Sequence, residues 1–213
     1  MILGFDTSGP YCSVTLLADD VVRAQCHVEM VKGQAERLMP LIEQTLHEAG
    51  TNYTDLTRLA VGTGPGNFTG IRISVAAARG LALSLGIPAL GVTLFEALAH
   101  EAKLPAMASL PATKNTIYTA ELTQTGISTP VQSALEDAPA PSGKGFSCIG
   151  YNADALSALL GLKHTTAKLS PSEAIARVAA KMDAAGAARP APFYLRPADA
   201  APPRDPAPVI LDA

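Results

Sequence analysis

The sequence predicts an α/β fold in two lobes, and three observations carry that expectation. The chain opens with three strand-like segments separated by turn residues, continues with helical stretches that alternate with short strands, and repeats strand-then-helix patterning in its second half. The segment Ile2-Leu3-Gly4-Phe5-Asp6-Thr7 has the character of a buried strand, and Ser8-Gly9-Pro10 supplies a turn after it. Residues 12–17 alternate and are rich in β-formers, Asp19-Asp20 makes a second turn, and residues 21–28 return as a third strand. Together these segments form an antiparallel meander.

Between residues 33 and 50 the period changes. Leu38, Leu41, Ile42, Thr45, Leu46 and Ala49 recur at helical spacing, and Gly50 is placed to stop the helix. A short strand (59–62), a glycine-rich loop (63–70), a helical run (71–85), a strand (89–93) and a helix starting near Leu94 follow. The order β-β-β-α-β-α-β-α is that of one ribonuclease-H-like lobe, in which a meander joins parallel strands through helical crossovers.

A second, reduced lobe of the same type is expected from about Pro105. Its strands are predicted at 106–110, 116–122 and 146–150, its helices at 153–160 and 172–185, and a Pro/Ala/Ser/Gly-rich loop at 136–145. From residue 187 the chain is dense in Ala and Pro and is expected to run extended over the surface, with only Phe193-Tyr194-Leu195 able to dock. The predicted division is 1–104, 105–196 and a tail of 197–213.

Composition narrows the function. With 213 residues, 48% of them hydrophobic but only 5% aromatic and no Trp, the core must be built from Ala, Leu, Val and Ile. A net charge of −3 argues against gripping a phosphate backbone unaided, which needs clustered Lys and Arg. Cys12, Cys26 and Cys148 are far apart and lack metal-ligand spacing, as expected of reduced, buried thiols. No leader is expected, since the N-terminus lacks a basic region and Asp6 interrupts its first apolar run. The apolar stretch 71–94 is interrupted by Arg72, Arg79, Gly80, Gly86 and Pro88, so no membrane span and a cytoplasmic location are expected.

The loop Gly62-Thr63-Gly64-Pro65-Gly66-Asn67-Phe68-Thr69-Gly70-Ile71-Arg72 lies between strand and helix, where free N–H groups favour an anion. Its spacing matches neither common phosphate loop, and by spacing alone a structural turn is the better reading. As a complete string, G-x-G-P-G-x-F-T-G-x-R resembles the signature of the TsaB (YeaZ) family. The resemblance extends to Asp6-Thr7-Ser8 with Cys12-Ser13-Val14, to Glu36-Arg37-Leu38-Met39-Pro40, to Gly91-Val92-Thr93 and to Pro192-Phe193-Tyr194-Leu195-Arg196, almost the whole chain in the family's order.

The resemblance implies a member of the actin/sugar-kinase/Hsp70-like fold class with a shortened second lobe. It implies that Gly64, Pro65, Gly66, Phe68, Thr69, Gly70 and Arg72 form the family's loop. It places Asp6, with Thr7, Ser8 and Ser13, where enzymes of this class hold a metal-nucleotide, here as a vestigial half-site that binds ATP or ADP with Mg²⁺ weakly if at all. The catalytic sister family, TsaD, carries two metal-binding histidines at positions matching Leu94 and Leu98, which have no lone pair to give. No metal and no catalytic residue are therefore expected. Glu96 and His100, spaced i, i+4, are expected to form a surface hydrogen-bonded pair, and His27, His47 and His164 to be solvated or capping.

The chain departs from the family pattern at Gln34-Ala35, where a capping hydroxyl is lost, and over Pro111-Ala112-Thr113-Lys114-Asn115-Thr116-Ile117-Tyr118. By resemblance the function is to bind and activate a TsaD-type threonylcarbamoyltransferase, with a TsaE-type ATPase and an upstream TsaC-type synthase as further participants and tRNA met only through the complex. When alone the chain could form a homodimer. The rival expectation is a free-standing ATP-dependent phosphotransferase or glycopeptidase-like enzyme. The run 71–85 is apolar nearly all round, which predicts either a helix covered twice, by its own sheet and by a partner, or a central helix buried wholly inside the chain. Ala76, Ala77 and Ala78, with Leu38 and Leu41 of the preceding helix, are the expected partner contacts.

Overall fold

The computed structural model describes residues 1–195. The N-terminal meander is β1 (Ile2–Asp6), β2 (Tyr11–Ala18) and β3 (Val21–Glu29), followed by α1 (Gln34–Glu48), β4 (Arg58–Gly62), α2 (Phe68–Leu85), β5 (Ala89–Val92) and α3 (Leu94–Glu101). These five strands form one sheet in the order β3-β2-β1-β4-β5, with β1, β4 and β5 parallel. The second half contributes β6 (Ala106–Pro111), β7 (Thr116–Thr123), β8 (Gly126–Ile127), β9 (Val131–Ala134), β10 (Ser147–Gly150), α4 (Ala153–Leu160), β11 (Lys163–Thr165) and α5 (Pro171–Lys181). A second sheet runs β11-β10-β6-β7-β8, with β9 also paired to β7.

Alternation along the central strands decides which layer covers which face. Leu3 and Phe5 of β1 and Leu59 and Val61 of β4 pack with Leu38, Leu41 and Ile42 of α1 and Ile71 and Val75 of α2. Ala60 and Leu90 face the other way, into a cluster shared with Phe95 of α3, Ile175 of α5 and Tyr118 of β7. Helix α5 thus comes from the second half yet lies on the first sheet. Gly4 permits that approach, since a Cβ there would meet the Ser172 carbonyl and Ala176.

Most predicted elements fall within a residue or two of the observed ones, and the exceptions have local causes. α2 starts at Phe68 rather than 71 because the Asn67 side chain caps it, accepting from Gly70 N at 2.9 Å. α5 ends at Lys181 rather than 185: the Arg58 guanidinium reaches across to the carbonyls of Ala179 and Met182, satisfying the helix C-terminus there. Strands β8, β9 and β11 were not expected. They are two to four residues long and largely exposed, so they carry almost no hydrophobic alternation. The β6–β7 hairpin closes with Lys114 and Asn115 both at φ 58°.

α1 has no side-chain cap, in keeping with the loss of a hydroxyl at Gln34-Ala35, and Gln34 Nε2 instead donates to the Met30 carbonyl. By length and composition α2 alone among the described helices could cross a membrane, but it lies with Ile71, Ser74, Val75 and Ala78 against the first sheet and α1. The three cysteines are buried and unpaired. After α5 the chain continues as a strap that passes Gly91 of β5 at Pro190 and reaches Thr63 at the end of β4. Phe193 N donates to Thr63 O at 2.8 Å and Arg79 Nε to Pro190 O at 2.7 Å, so the expected docking of Phe193-Tyr194-Leu195 is observed. Arg196 and the predicted 197–213 tail lie outside the described residues.

Candidate functional site

The four residues of the expected nucleotide half-site sit together at the β1–β2 hairpin, and each is closed off. Asp6 is fully buried: Oδ1 accepts from Ser8 N at 3.2 Å, and Oδ2 from Ser8 Oγ at 2.8 Å and Tyr11 Oη at 2.7 Å. Burial pushes the Asp6 carboxyl above its ordinary range against the pull of these donors. The same burial, with the nearby Asp6 charge, drives the Tyr11 phenol well upward. Thr7 Oγ1 donates to Gly70 O at 2.7 Å, and Ser13 Oγ shares a 2.7 Å hydrogen bond with Ser172 Oγ of α5. Four polar groups that could greet a metal-nucleotide are thereby spent on the fold.

The glycine-rich loop explains itself through the same hairpin. Asn67 N donates to Ser8 O at 2.7 Å, Thr63 N to Val92 O, and Leu94 N to Gly64 O at 2.8 Å. A Cβ at Gly66 would overlap the Ser8 carbonyl and one at Gly70 the Thr7 carbonyl. Backbone meets backbone there, so only glycine fits. The loop is a clamp on the hairpin, as its spacing alone suggested. Beside it opens a cleft of about 500 Å³ whose walls include Ser8, Pro65, Phe68, Tyr118 and Tyr194, with no charged side chain among its described lining residues.

Leu94 and Leu98, which the resemblance sets at metal-ligand positions, are buried in the core around α3. Glu96 and His100 do not pair, contrary to expectation. Glu96 Oε2 turns back to accept from Thr93 N and Oγ1 at 2.7 Å, closing a capping box, while His100 Nδ1 lies 3.4 Å from Lys181 Nζ. His27 Nε2 meets Glu29 at 2.9 Å and His164 Nδ1 meets Ser157 Oγ at 3.3 Å. Among the described residues no group of three His, Cys, Asp or Glu converges.

The expected partner contacts divide. Leu38 and Leu41 are 1% exposed and Ala78 is fully buried, so these three face the chain's own core and cannot touch a partner, because the inward stripes of α1 and α2 run through them. Ala76 is exposed and Ala77 half-buried. The outward stripe of α2 contains Thr69, Ala76, Gly80 and Leu83, with Ile73 half-buried at its edge against the core, and Leu83 is 83% exposed. Gly80 was missed as a site residue, although a glycine in mid-helix is itself a signal. A Cβ there would meet nothing within 4 Å, so no contact within the chain requires it. At the N-terminal end of the stripe Phe68 stacks on Tyr194 of the strap at 4.8 Å, and the Arg72 guanidinium sits 3.8 Å over the Phe68 ring.

The two sheets, joined through a last helix that returns to the first, define a protein of the actin/sugar-kinase/Hsp70-like class. Component A of (R)-2-hydroxyglutaryl-CoA dehydratase from Acidaminococcus fermentans shares this fold at a TM-score of 0.53 and 10% identity, over 84% of this chain and 98% of its own. A family model described as TsaD, tRNA N6-adenosine threonylcarbamoyltransferase, matches residues 29–192. TsaB, a tRNA threonylcarbamoyladenosine biosynthesis protein, is 40% identical in Escherichia coli K12 over 102 residues, 47% of this chain and 43% of that protein. The Bacillus subtilis 168 TsaB is 38% identical over 98 residues, 46% of this chain and 43% of that one. YeaZ from Pseudomonas aeruginosa superposes at a TM-score of 0.71 and 26% identity, over 91% of this chain and 99% of its own. The chain belongs to the family that the TsaD model describes, and the relatives it is similar to are TsaB and YeaZ proteins. The matched stretch spans less than half the length of these two curated relatives.

Proposed function

We propose that this chain is a non-catalytic subunit that binds and activates a TsaD-type threonylcarbamoyltransferase, for modification of the adenosine next to the anticodon in tRNAs reading codons that begin with adenine. The observation that carries the reading is the outward stripe of α2. An 83% exposed Leu83 stands one turn from Gly80, which has open space around it. A helix-interior glycine costs roughly 0.5–1 kcal/mol relative to alanine, and a partner helix crossing closely at Ala76 and Gly80 would supply the reason for it. In this reading TsaD brings the metal and the chemistry, a TsaE-type ATPase joins the assembly, tRNA is met through the complex, and the setting is the cytoplasm. ATP or ADP with Mg²⁺ binds weakly at most, because the Asp6 oxygens already have their donors.

The test is co-purification of the full chain with the TsaD-type subunit of the same cell. A stable pair that Leu83→Glu disrupts without lowering the melting temperature is the expected result. No pair with the wild-type chain, or a pair indifferent to Leu83→Glu, overturns the assignment.

A further inference from the structure

Arg72 is exposed, yet its side chain is held still. Its guanidinium carbon lies 3.8 Å from the Phe68 ring centroid and 5.9 Å from that of Tyr194, and its Nε donates to Tyr194 Oη at 2.9 Å. Tyr194 is itself fixed, stacked on Phe68 and carried by a strap that Phe193 and Arg79 tie down. Three separate contacts therefore orient one arginine from two distant parts of the chain. The contacts use Nε and the ring-facing plane and leave the two terminal nitrogens with no acceptor among the described residues. A planar fork oriented this way has less rotamer entropy to lose when a ligand arrives, and its end-on edge matches a carboxylate in bidentate fashion.

We propose that Arg72 is the polar anchor of the partner face, a pre-oriented receptor for an Asp or Glu carboxylate on the protein that docks along α2. This rests on the functional reading above and adds the chemistry of its contact. Arg72 is one helical turn from Ala76 and adjoins Ile73, at the edge of the apolar stripe, where a docking protein would exclude water and strengthen the ion pair. A protein carboxylate is favoured over an RNA phosphate because the chain is net acidic and the residues one turn from Arg72 on this face, Phe68, Thr69 and Ala76, carry no charge, while the exposed Arg79 two turns on is tied to the Pro190 carbonyl. Tyr194 and Phe68 act as positioning residues, and the strap belongs to the docking surface.

Calorimetric titration of the full chain with the TsaD-type subunit, at low and raised salt, tests the anchor. Arg72→Ala is expected to weaken binding by roughly tenfold or more with an unchanged melting temperature and a flatter salt dependence. Arg72→Lys should recover only part of the loss, because it keeps charge but not the fork, and Tyr194→Phe should give a smaller loss. If Arg72→Ala fails to fold, Arg72→Gln keeps the stem and serves in its place. Wild-type affinity in the folded Arg72 variants, with Leu83→Glu still disruptive, overturns the anchor and leaves the partner face standing. No wild-type binding overturns both. Binding of tRNA by the isolated chain that is lost in Arg72→Ala would assign the fork to phosphate and overturn the carboxylate.

Discussion

Tyr11 places its hydroxyl 2.7 Å from Oδ2 of Asp6 and seals, with Ser8, a carboxyl that has no contact with solvent. Burial raises the Asp6 pKa above its ordinary 3.8, so the folded chain holds this proton more tightly than the unfolded chain does. Where the folded state binds more protons, stability falls as pH rises. Relative to Asp6→Asn, the wild-type protein should lose stability as pH climbs from 3.8 through the raised pKa, and the difference should then level off. Thermal melts of both proteins across that range read it directly. A difference that is flat with pH, or that grows in favour of wild type as pH rises, would show that the donors outweigh burial.

The fold was legible wherever burial imposed a period. The β1–β2–β3 meander, α1 and α4 were readable because Leu3 and Phe5, or Leu38, Leu41 and Ile42, or Ala153 and Leu156, must face one way. The closed state of Asp6 was not readable: it depends on Tyr11, five residues on, folding back over Gly9. Tertiary contacts also decided which apolar residues of α1 and α2 stay accessible. Leu38, Leu41 and Ala78 have the same character as Leu83 in sequence, and only the position of the sheet tells them apart. A consequence for Asp6→Ala follows. The variant leaves Ser8 and Tyr11 without their acceptor, so it should lose stability rather than leave the fold untouched.

Ser172 joins the last helix to the first hairpin. Its Oγ lies 2.7 Å from both Ser13 Oγ and Thr15 Oγ1, and all three are fully buried. Thr15 has a second partner in Gln25, whereas Ser13 has no other side-chain hydrogen bond among the described residues. Ser172→Ala should therefore cost about 1–3 kcal/mol, the penalty of one orphaned buried hydroxyl. Adding Ser13→Ala should cost little more, or recover some stability, because nothing remains to be satisfied. Denaturant unfolding of the two single variants and the double variant checks this, and simple additivity would refute the coupling.

Gly70 stands where the clamp meets the hairpin, and its substitution has no flexible neighbour to push aside. The atom that a Cβ would overlap is the Thr7 carbonyl oxygen, part of the strand end that carries Asp6. Gly70→Ala should destabilise by about 1–3 kcal/mol or more through forced backbone displacement. The same change at Gly86, where nothing lies within 4 Å but φ is +66°, is strained by conformation instead. Melting temperatures would rank the two. Wild-type stability in Gly70→Ala would mean that the hairpin and loop are less tightly joined than their hydrogen bonds indicate.

Gly80 should behave in the opposite way. It is helical, exposed and free of neighbours, so Gly80→Ala removes backbone entropy from the unfolded chain and adds no clash. The isolated chain should gain roughly 0.5–1 kcal/mol, a rise of a few degrees in melting temperature. If a partner helix crosses at Ala76 and Gly80, the added methyl group and larger residues such as Gly80→Leu should progressively hold that helix away, so affinity falls while the monomer grows more stable. Loss of contact along a close helix crossing is felt one methyl at a time. The discriminating measurement is therefore a pair of numbers for each variant, melting temperature and affinity for the TsaD-type subunit. Stability and affinity moving in opposite directions would assign the crossing to this glycine. Stability rising with affinity untouched would leave Leu83 exposed for another reason and place the partner elsewhere.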